Sequence, residues 1–434
     1  MGVRQTGPAS SMPPFADVFG VRGFLPLFIA ASLSTWGDYV ARLTIAAVVY
    51  QRTASPLATA TTFAVSLLPS IFGRTLLGPL ADRLPYKYVL MGSHLSRALM
   101  VGVLVWLVVA EVPIAMLLVA FFFLEVLGGP AVSAQQVLMT DLFEDRRLFV
   151  GAMGMTALGE QVNQALGFVV GGVAIAALGP TRALLVDLVT FLVSAGVVAT
   201  VIRRKPVIGQ PSPGIVGFFG DLGRAASYVG RHPVLRRLLA LSLLVNLGVS
   251  APEAVAIPYA GDVSVGGLLM AAPIAGAAVG VVLVSRWEPR VSNRRMIAMA
   301  LAMPVPLLFT AFRPGIAVTV VLWFVSGVLQ AFMLPLQSTF SLVTPAERRG
   351  TIFGLAGALS VTAAGVTYLL AGWLSELTNP AATVTMLAVM CLGSVVLLAA
   401  RWPRRALDEA VEVAYAPERP AGEPAVARSD REAV

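Results

Sequence analysis

The sequence predicts an all-α membrane protein of twelve transmembrane helices arranged as two parallel six-helix repeats. Three observations carry that expectation. Hydrophobic residues make up 57% of the 434 residues and charged residues only 12%, about half the share usual in soluble domains. Apolar runs of roughly 17 to 25 residues, long enough to cross about 30 Å of hydrocarbon, recur along the chain. Basic residues gather at alternate connections between those runs, as topology in a membrane demands. The alternating ten-residue segments of a membrane β-barrel are absent.

Residues 1–21 lack a long apolar run and read as a cytoplasmic N-terminal segment. No cleavable signal peptide is expected, because the first span is too long for an h-region. Six spans follow, at 24–50, 58–80, 89–110, 113–138, 149–178 and 183–202, forming an N-terminal bundle over 22–203. Residues 204–236 form a cytoplasmic linker that opens with Pro, Gly and Ser. Within it, 217–230 reads either as a short amphipathic helix on anionic lipid or as plain connection. A second bundle, 237–402, holds spans at 238–260, 265–284, 296–312, 315–336, 352–374 and 381–400. The ninth is the shortest. The tail, 403–434, is rich in Pro, Ala, Glu and Arg and reads as disordered.

The halves echo each other. Asp145-Arg146-Arg147 returns as Glu347-Arg348-Arg349 at an offset of 202, Gly151 and Gly154 return as Gly354 and Gly357 at 203, and Arg203-Arg204 returns as Arg404-Arg405 at 201. Parallel repeats of six spans place a binding site near the midplane, between the halves.

Connecting the spans in alternation puts 25 of the 31 Lys and Arg on one side. Both termini are therefore expected in the cytoplasm, with the chain multi-pass in the cell membrane. The positive charge encodes orientation, and no nucleic-acid partner is expected.

Several chemistries are excluded. The two lysines, Lys87 and Lys205, do not follow a glycine, so the chain has no phosphate-binding GxxxxGK loop. His94 and His232 lie far apart and Cys391 is alone, so neither a metal cluster nor an intrachain disulfide is expected. No GxSxG elbow occurs. The expectation is a non-enzyme without metal or cofactor, powered by an ion gradient if it moves anything uphill.

Charges inside the spans carry the remaining chemistry, since each costs about 2.5–3.5 kcal/mol at a helix centre and so faces a cavity or a partner. Asp38 and Arg42 lie four apart on one face of span one. They read as a pair that orients substrate and steadies the helix, or as a purely structural ion pair. Arg97 lies in span three, Glu125 near the middle of span four, Glu160 and Gln164 on one face of span five, Glu253 in span seven and Gln330 in span ten. Glu125 has no basic residue within one turn of its own helix and is expected to carry the proton. Asp187 reads as a structural or interfacial residue near the outer surface, and Arg74 as a side chain that snorkels inward.

Between spans two and three the chain reads GPLADRLPYK, residues 78–87. This resembles the G-x-L-A-D-R-x-G-R-K signature of the major facilitator superfamily, with Gly78, Leu80, Ala81, Asp82, Arg83 and Lys87 matching. The resemblance implies the major facilitator fold and a gate in which Asp82 meets the start of helix eleven. That start reads Thr344-Pro345-Ala346-Glu347, a capping box with proline at the first helical position. The alternative is that Asp82 and Arg83 anchor a tight turn. Gly154, Gly167, Gly171 and Gly172 are similar to the helix-five glycine motif of exporters, with Asn163 and Phe168 replacing its second glycine and its proline. They read as helix-packing residues. The family's helix-four arginine is missing and Glu125 stands there instead.

Together with Trp36-Gly37-Asp38 and Arg231-His232-Pro233, these features resemble the branch of siderophore and multidrug exporters. The resemblance implies a monomeric secondary transporter, with protons, membrane lipids and a small-molecule substrate as partners. It would export small amphiphilic or cationic molecules by proton antiport and alternating access. An uptake symporter or lipid transporter on the same fold is the alternative, followed by a membrane sensor or enzyme.

Overall fold

The computed structural model describes residues 15–72, 84–143, 145–202, 215–402 and Leu407. The signature residues Gly78, Asp82 and Arg83, and also Arg74, lie outside the described residues. Twelve helices form two bundles. In the first, α1 is Phe24–Thr53, α2 Pro56–Phe72, α3 Tyr86–Val109, α4 Ile114–Leu142, α5 Arg146–Leu178 and α6 Pro180–Val201. In the second, α7 is Pro233–Ala260, α8 Val263–Val284, α9 Arg290–Phe312, α10 Ile316–Val343, α11 Arg349–Leu377 and α12 Pro380–Ala400. Ten of these are long and apolar enough to cross a membrane. The other two are α1, which carries Asp38 and Arg42, and α2, of which 17 residues are described.

The repeat is visible in the helices themselves. The helices α4 and α10 begin at Ile114 and Ile316, and α5 and α11 at Arg146 and Arg349. Both α4 and α10 lose regular pitch at equivalent places: α4 breaks at Leu127-Gly128, and α10 passes through a 3-10 turn at Gln330–Phe332. Inside a membrane every freed backbone group needs a partner within the protein. Accordingly, the Ser93 hydroxyl donates to the Leu127 carbonyl at 2.6 Å. The interruption of α9 at Met303-Pro304 is treated the same way, with the Ser326 hydroxyl donating to the Met303 carbonyl at 2.8 Å.

Span seven starts five residues earlier than the apolar run alone indicates. Pro233 occupies the first turn and His232 caps it, its Nδ1 accepting from the Leu235 amide at 3.3 Å. Burial lowers the His232 pKa from the ordinary histidine value, which favours the neutral ring this acceptor requires. Ahead of it, the linker helix Ile215–Arg231 buries Ala225 and Val229 against the C-terminal bundle, and Arg348 lies 4.6 Å over the Tyr228 ring.

Large apolar side chains cover the outside: Leu99, Trp106, Phe312 and Leu397 are among those most exposed. On a soluble protein such a surface would aggregate; around a bundle it is what lipid contacts.

The two bundles meet at the end away from the termini. There α5 packs on α8 and α2 on α11, and glycines permit the approach. A Cβ on Gly372 would lie 2.7 Å from the Ala60 Cβ and 2.8 Å from the Leu57 Cα, and one on Gly172 would lie 3.1 Å from the Ser264 Cα. The Ser55 hydroxyl donates to the Glu376 carboxylate across the same seam. Toward the termini, Gly154 on α5 and Gly350, Gly354 and Gly357 on α11 face open space. Among the described residues, the close backbone contacts between the bundles gather at this one end.

Candidate functional site

The embedded charges converge on α1, but not in the pairing that their spacing on that helix suggests. Asp38 and Arg42 do not bond each other. Asp38 is held by Arg97 of α3, whose Nη2 bonds Oδ1 while Nη1 reaches Oδ2 at 3.3 Å. Arg42 instead donates from Nη2 to Oε1 of Glu125 on α4 at 3.2 Å. Each arginine thus neutralises a carboxylate on another helix, tying α1 to α3 and α4 through side chains. The expectation that Glu125 stands without a basic neighbour holds for its own helix alone; Arg42 reaches it across the gap.

Aromatic faces complete the arginine environments. Arg97 lies 4.4 Å over the Phe191 ring of α6, and Arg42 lies 5.3 Å over Tyr39. Such contacts stabilise a desolvated cation by on the order of 1–2 kcal/mol. Gly128, at the break in α4, leaves space beside the Arg97 guanidinium: a Cβ there would approach its Cζ to 3.4 Å.

In the second bundle, Glu253 of α7 accepts a hydrogen bond from the Tyr368 hydroxyl of α11 at 2.7 Å. The Tyr368 ring lies 5.9 Å from that of Phe63 on α2, so this tyrosine touches both bundles. Glu160 of α5 is exposed.

A polar seam joins α5 to α1. The Trp36 indole donates to Asn163 Oδ1 at 2.9 Å, and Asn163 Nδ2 donates to the Ser32 hydroxyl at 2.9 Å. Beside it, Gly167 lies against Tyr39 and Gly171 against Val40, while Gly172 meets the other bundle. Gly154 differs from these three, because a methyl there would meet nothing within 4 Å. Its glycine serves no packing contact in this conformation.

Other expected residues fall elsewhere. Gln164 and Gln330 are half-buried, and among the described residues no hydrogen bond links them to the charge cluster. Lys87 ties α3 to the end of α6, its Nζ donating to the Ala199 carbonyl at 2.6 Å. The capping box at 344–347 does not form. Thr344 turns its hydroxyl back to the Phe340 carbonyl at 2.6 Å, closing α10, and Glu347 is exposed in a 3-10 turn before α11. The proline that favours a first helical turn leads here into that 3-10 turn.

Two participants went unrecognised in the sequence. Tyr368 ends a stripe of small residues on α11, Gly350, Gly354, Gly357, Val361 and Ala364, spaced for one helix face; that stripe was the available signal. Tyr39 adjoins Asp38 and carried no distinct signal. Asp187, expected near the outer interface, is fully buried against Gly37.

The family model for the Major Facilitator Superfamily matches residues 27–263 and again 238–428. The multidrug efflux pump Tap of Mycolicibacterium fortuitum is 26% identical over 407 residues, covering 86% of this chain and 94% of that protein. Among solved structures, a bacterial homolog of the human lysosomal transporter Spinster, in an inward-facing and unoccupied conformation, matches with a TM-score of 0.61. At 15% identity, over 93% of this chain and 98% of that one, this likeness is one of fold.

Proposed function

The chain belongs to the Major Facilitator Superfamily, and from that premise we propose that it exports small amphiphilic or cationic molecules by proton antiport, through alternating access. One observation carries the reading: each bundle holds an embedded carboxylate, Glu125 bonded to Arg42 at 3.2 Å and Glu253 bonded to Tyr368 at 2.7 Å, and the Tyr368 ring packs on Phe63 of the other bundle. A cationic substrate would compete for both carboxylates. Protons arriving on the carboxylates would then discharge it. Apolar parts of the substrate would rest on Tyr39, Phe63 and Tyr368. The similarity to a multidrug efflux pump supports export.

In this reading the chain is a monomer in the plasma membrane with both termini in the cytoplasm. The closed end faces outward and the cavity opens inward. Asp38 and Arg97 steady α1, Glu125, Glu253 and Glu160 exchange protons for substrate, and Gln164 and Gln330 line the route at its edges. Asp82, with Gly78 and Arg83, would engage the α10–α11 connection when the inner side closes. Lys87 would hold α3 in register.

The test is transport in vesicles of reconstituted full-length protein under an imposed pH gradient, with ethidium as the probe cation. Antiport predicts ethidium accumulation against proton flow. Accumulation along proton flow would identify the symporter, and no movement of ethidium in either direction would remove the proposed substrate class.

A further inference from the structure

The polar core of the first bundle continues behind the cavity wall. Asp187 lies seven residues into α6, about 10 Å along the helix from Pro180, and is fully buried. Its Oδ1 receives a 3.4 Å bond from the Thr190 hydroxyl, which also donates to the Asp187 carbonyl at 2.7 Å. Its Oδ2 has no partner. The carboxyl rests on Gly37, where any side chain would overlap it, so it sits beside the residue that precedes Asp38.

The charged groups acting on Asp187 are Asp38 from α1, Arg97 from α3 and Glu125 from α4. His94, which feels Arg97, lies one turn before it on α3, with its ring 6.2 Å from Phe191 and its Nδ1 unpartnered. Arg97 is 6% exposed and is committed to Asp38, with its Nε free. No ion pair joins it to Asp187. The guanidinium is thus bonded to one partly exposed carboxylate, Asp38, while the fully buried carboxyl of Asp187 has no cation bonded to it. An ionised carboxylate left dry and unpaired costs several kcal/mol. A purely structural role would be met better by a side chain with both polar atoms bonded.

We propose that Asp187 is a proton-binding residue of the transport cycle and acts through Arg97. With a proton on Oδ2, Asp187 is neutral and Arg97 stays with Asp38. When the proton leaves, the new carboxylate competes for Arg97, and the Asp38 carboxylate is freed toward the cavity to meet a cation. The proton passes by way of Asp38, whose side chain is 25% exposed, to water; the Arg97–Asp38 bonds give way to bonds between Arg97 and Asp187, and apart from the O–H bonds of the proton itself no covalent bond forms or breaks. Gly37 gives α1 a smooth surface to slide on as Arg97 changes partner. Asp187 is then a positioning residue that never touches substrate. The inference deepens the antiport reading and rests on it.

The test has two readouts. Infrared spectra of the purified full-length protein at neutral pH should contain the C=O stretch of a protonated carboxyl. That band should vanish in Asp187→Asn, persist in Asp38→Asn and move rather than vanish in Asp187→Glu. In vesicles, Asp187→Asn should move ethidium down its gradient at a rate that no longer follows pH, and Asp187→Glu should restore a shifted pH dependence. An acid band unchanged in Asp187→Asn, or a wild-type pH profile in that variant, overturns the proposal. If Asp187→Asn does not fold, the Asp187→Glu arm decides: an unmoved band rejects the assignment. If the wild-type protein moves no ethidium, the antiport reading fails for that cation while the infrared arm still decides the proton site.

Discussion

Asp38 of α1 is bound by Arg97 of α3 and not by Arg42, one turn away on its own helix. Two residues four apart on a helix meet only with both side chains bent along the surface. A guanidinium arriving from a facing helix takes both oxygens of the carboxylate in its planar fork. The crossed pairs Asp38–Arg97 and Arg42–Glu125 join three helices where the expected pair would have joined none.

Removing one member of the first pair should cost more than removing both charges. Arg97→Met leaves Asp38, a quarter exposed, without the cation it bonds, a loss of about 1–3 kcal/mol. Asp38→Asn combined with Arg97→Met should recover a good part of the stability. Thermal unfolding of the three purified variants measures this. A double variant no more stable than Arg97→Met would mean that the pair is not the main term.

Glu125→Gln keeps the shape of the side chain and removes its charge. Arg42 then loses the carboxylate it bonds. Gradient-driven accumulation of ethidium should be abolished while downhill exchange persists, because the amide can bind but cannot carry a proton. Uphill transport by Glu125→Gln with a wild-type pH dependence would remove Glu125 from the coupling.

The architecture was legible because length and hydropathy act locally, and each helix is nearly complete within its own apolar run. The list of charged residues was equally legible, since a charge in a membrane is costly wherever it points. Their pairing was not, because it depends on which faces of α1, α3 and α4 meet. Thr344 shows the same limit: Thr-Pro-Ala-Glu is a helix start by its chemistry, yet the hydroxyl is taken by Phe340 behind it. The full burial of Asp187 lies beyond the same limit. Depth along a helix can be counted from sequence, whereas the burial that Gly37 creates on the neighbouring helix cannot.

The closed end depends on backbone approach at Gly372. A Cβ there would sit 2.8 Å from the Leu57 Cα, where neither chain has a flexible end to yield. Gly372→Val should push α11 away from α2 and disfavour this conformation. Spin labels on the outer ends of those helices should report longer distances than in wild type, with shorter ones at the opposite end. Unchanged distances would show that the seam tolerates the bulk and does not set the conformation.

Orientation can be tested at two exposed positions. Ser227 lies on the linker helix and Thr378 between α11 and α12. Cys391 is fully buried, so a membrane-impermeant thiol reagent should leave it untouched. Labelling of Ser227→Cys only after the inner surface is exposed, and of Thr378→Cys in intact cells, is expected. The reverse pattern would invert the protein, and with it the assignment of inner and outer gates.

At the start of α8, Asp262 accepts from the Ser264 hydroxyl and, at 3.0 Å, from the Val265 amide. The Ser264 bond first, then the backbone bond to Val265, holds its carboxyl below the usual carboxylate range. Its folded-state pKa is thus depressed, so its contribution is fully present above the unfolded carboxylate pKa. It is lost as pH falls through the folded value. Asp262→Ala should cost on the order of 1 kcal/mol at neutral pH, the usual size of a lost N-cap. The same variant should cost progressively less as the solution is acidified, until the two unfolding curves meet. Asp262 lies just before the first helix turn of α8, one residue ahead of the Val263 and Ser264 that Gly172 touches. A frayed α8 start would loosen the contact between bundles, so the loss should be larger in this closed-end conformation than in one with that end open. Parallel melting curves across pH, with and without a cross-link between α2 and α11, would measure both effects. A stability difference that stays constant down to strongly acidic pH would show that Asp262 acts by packing and not by its charge.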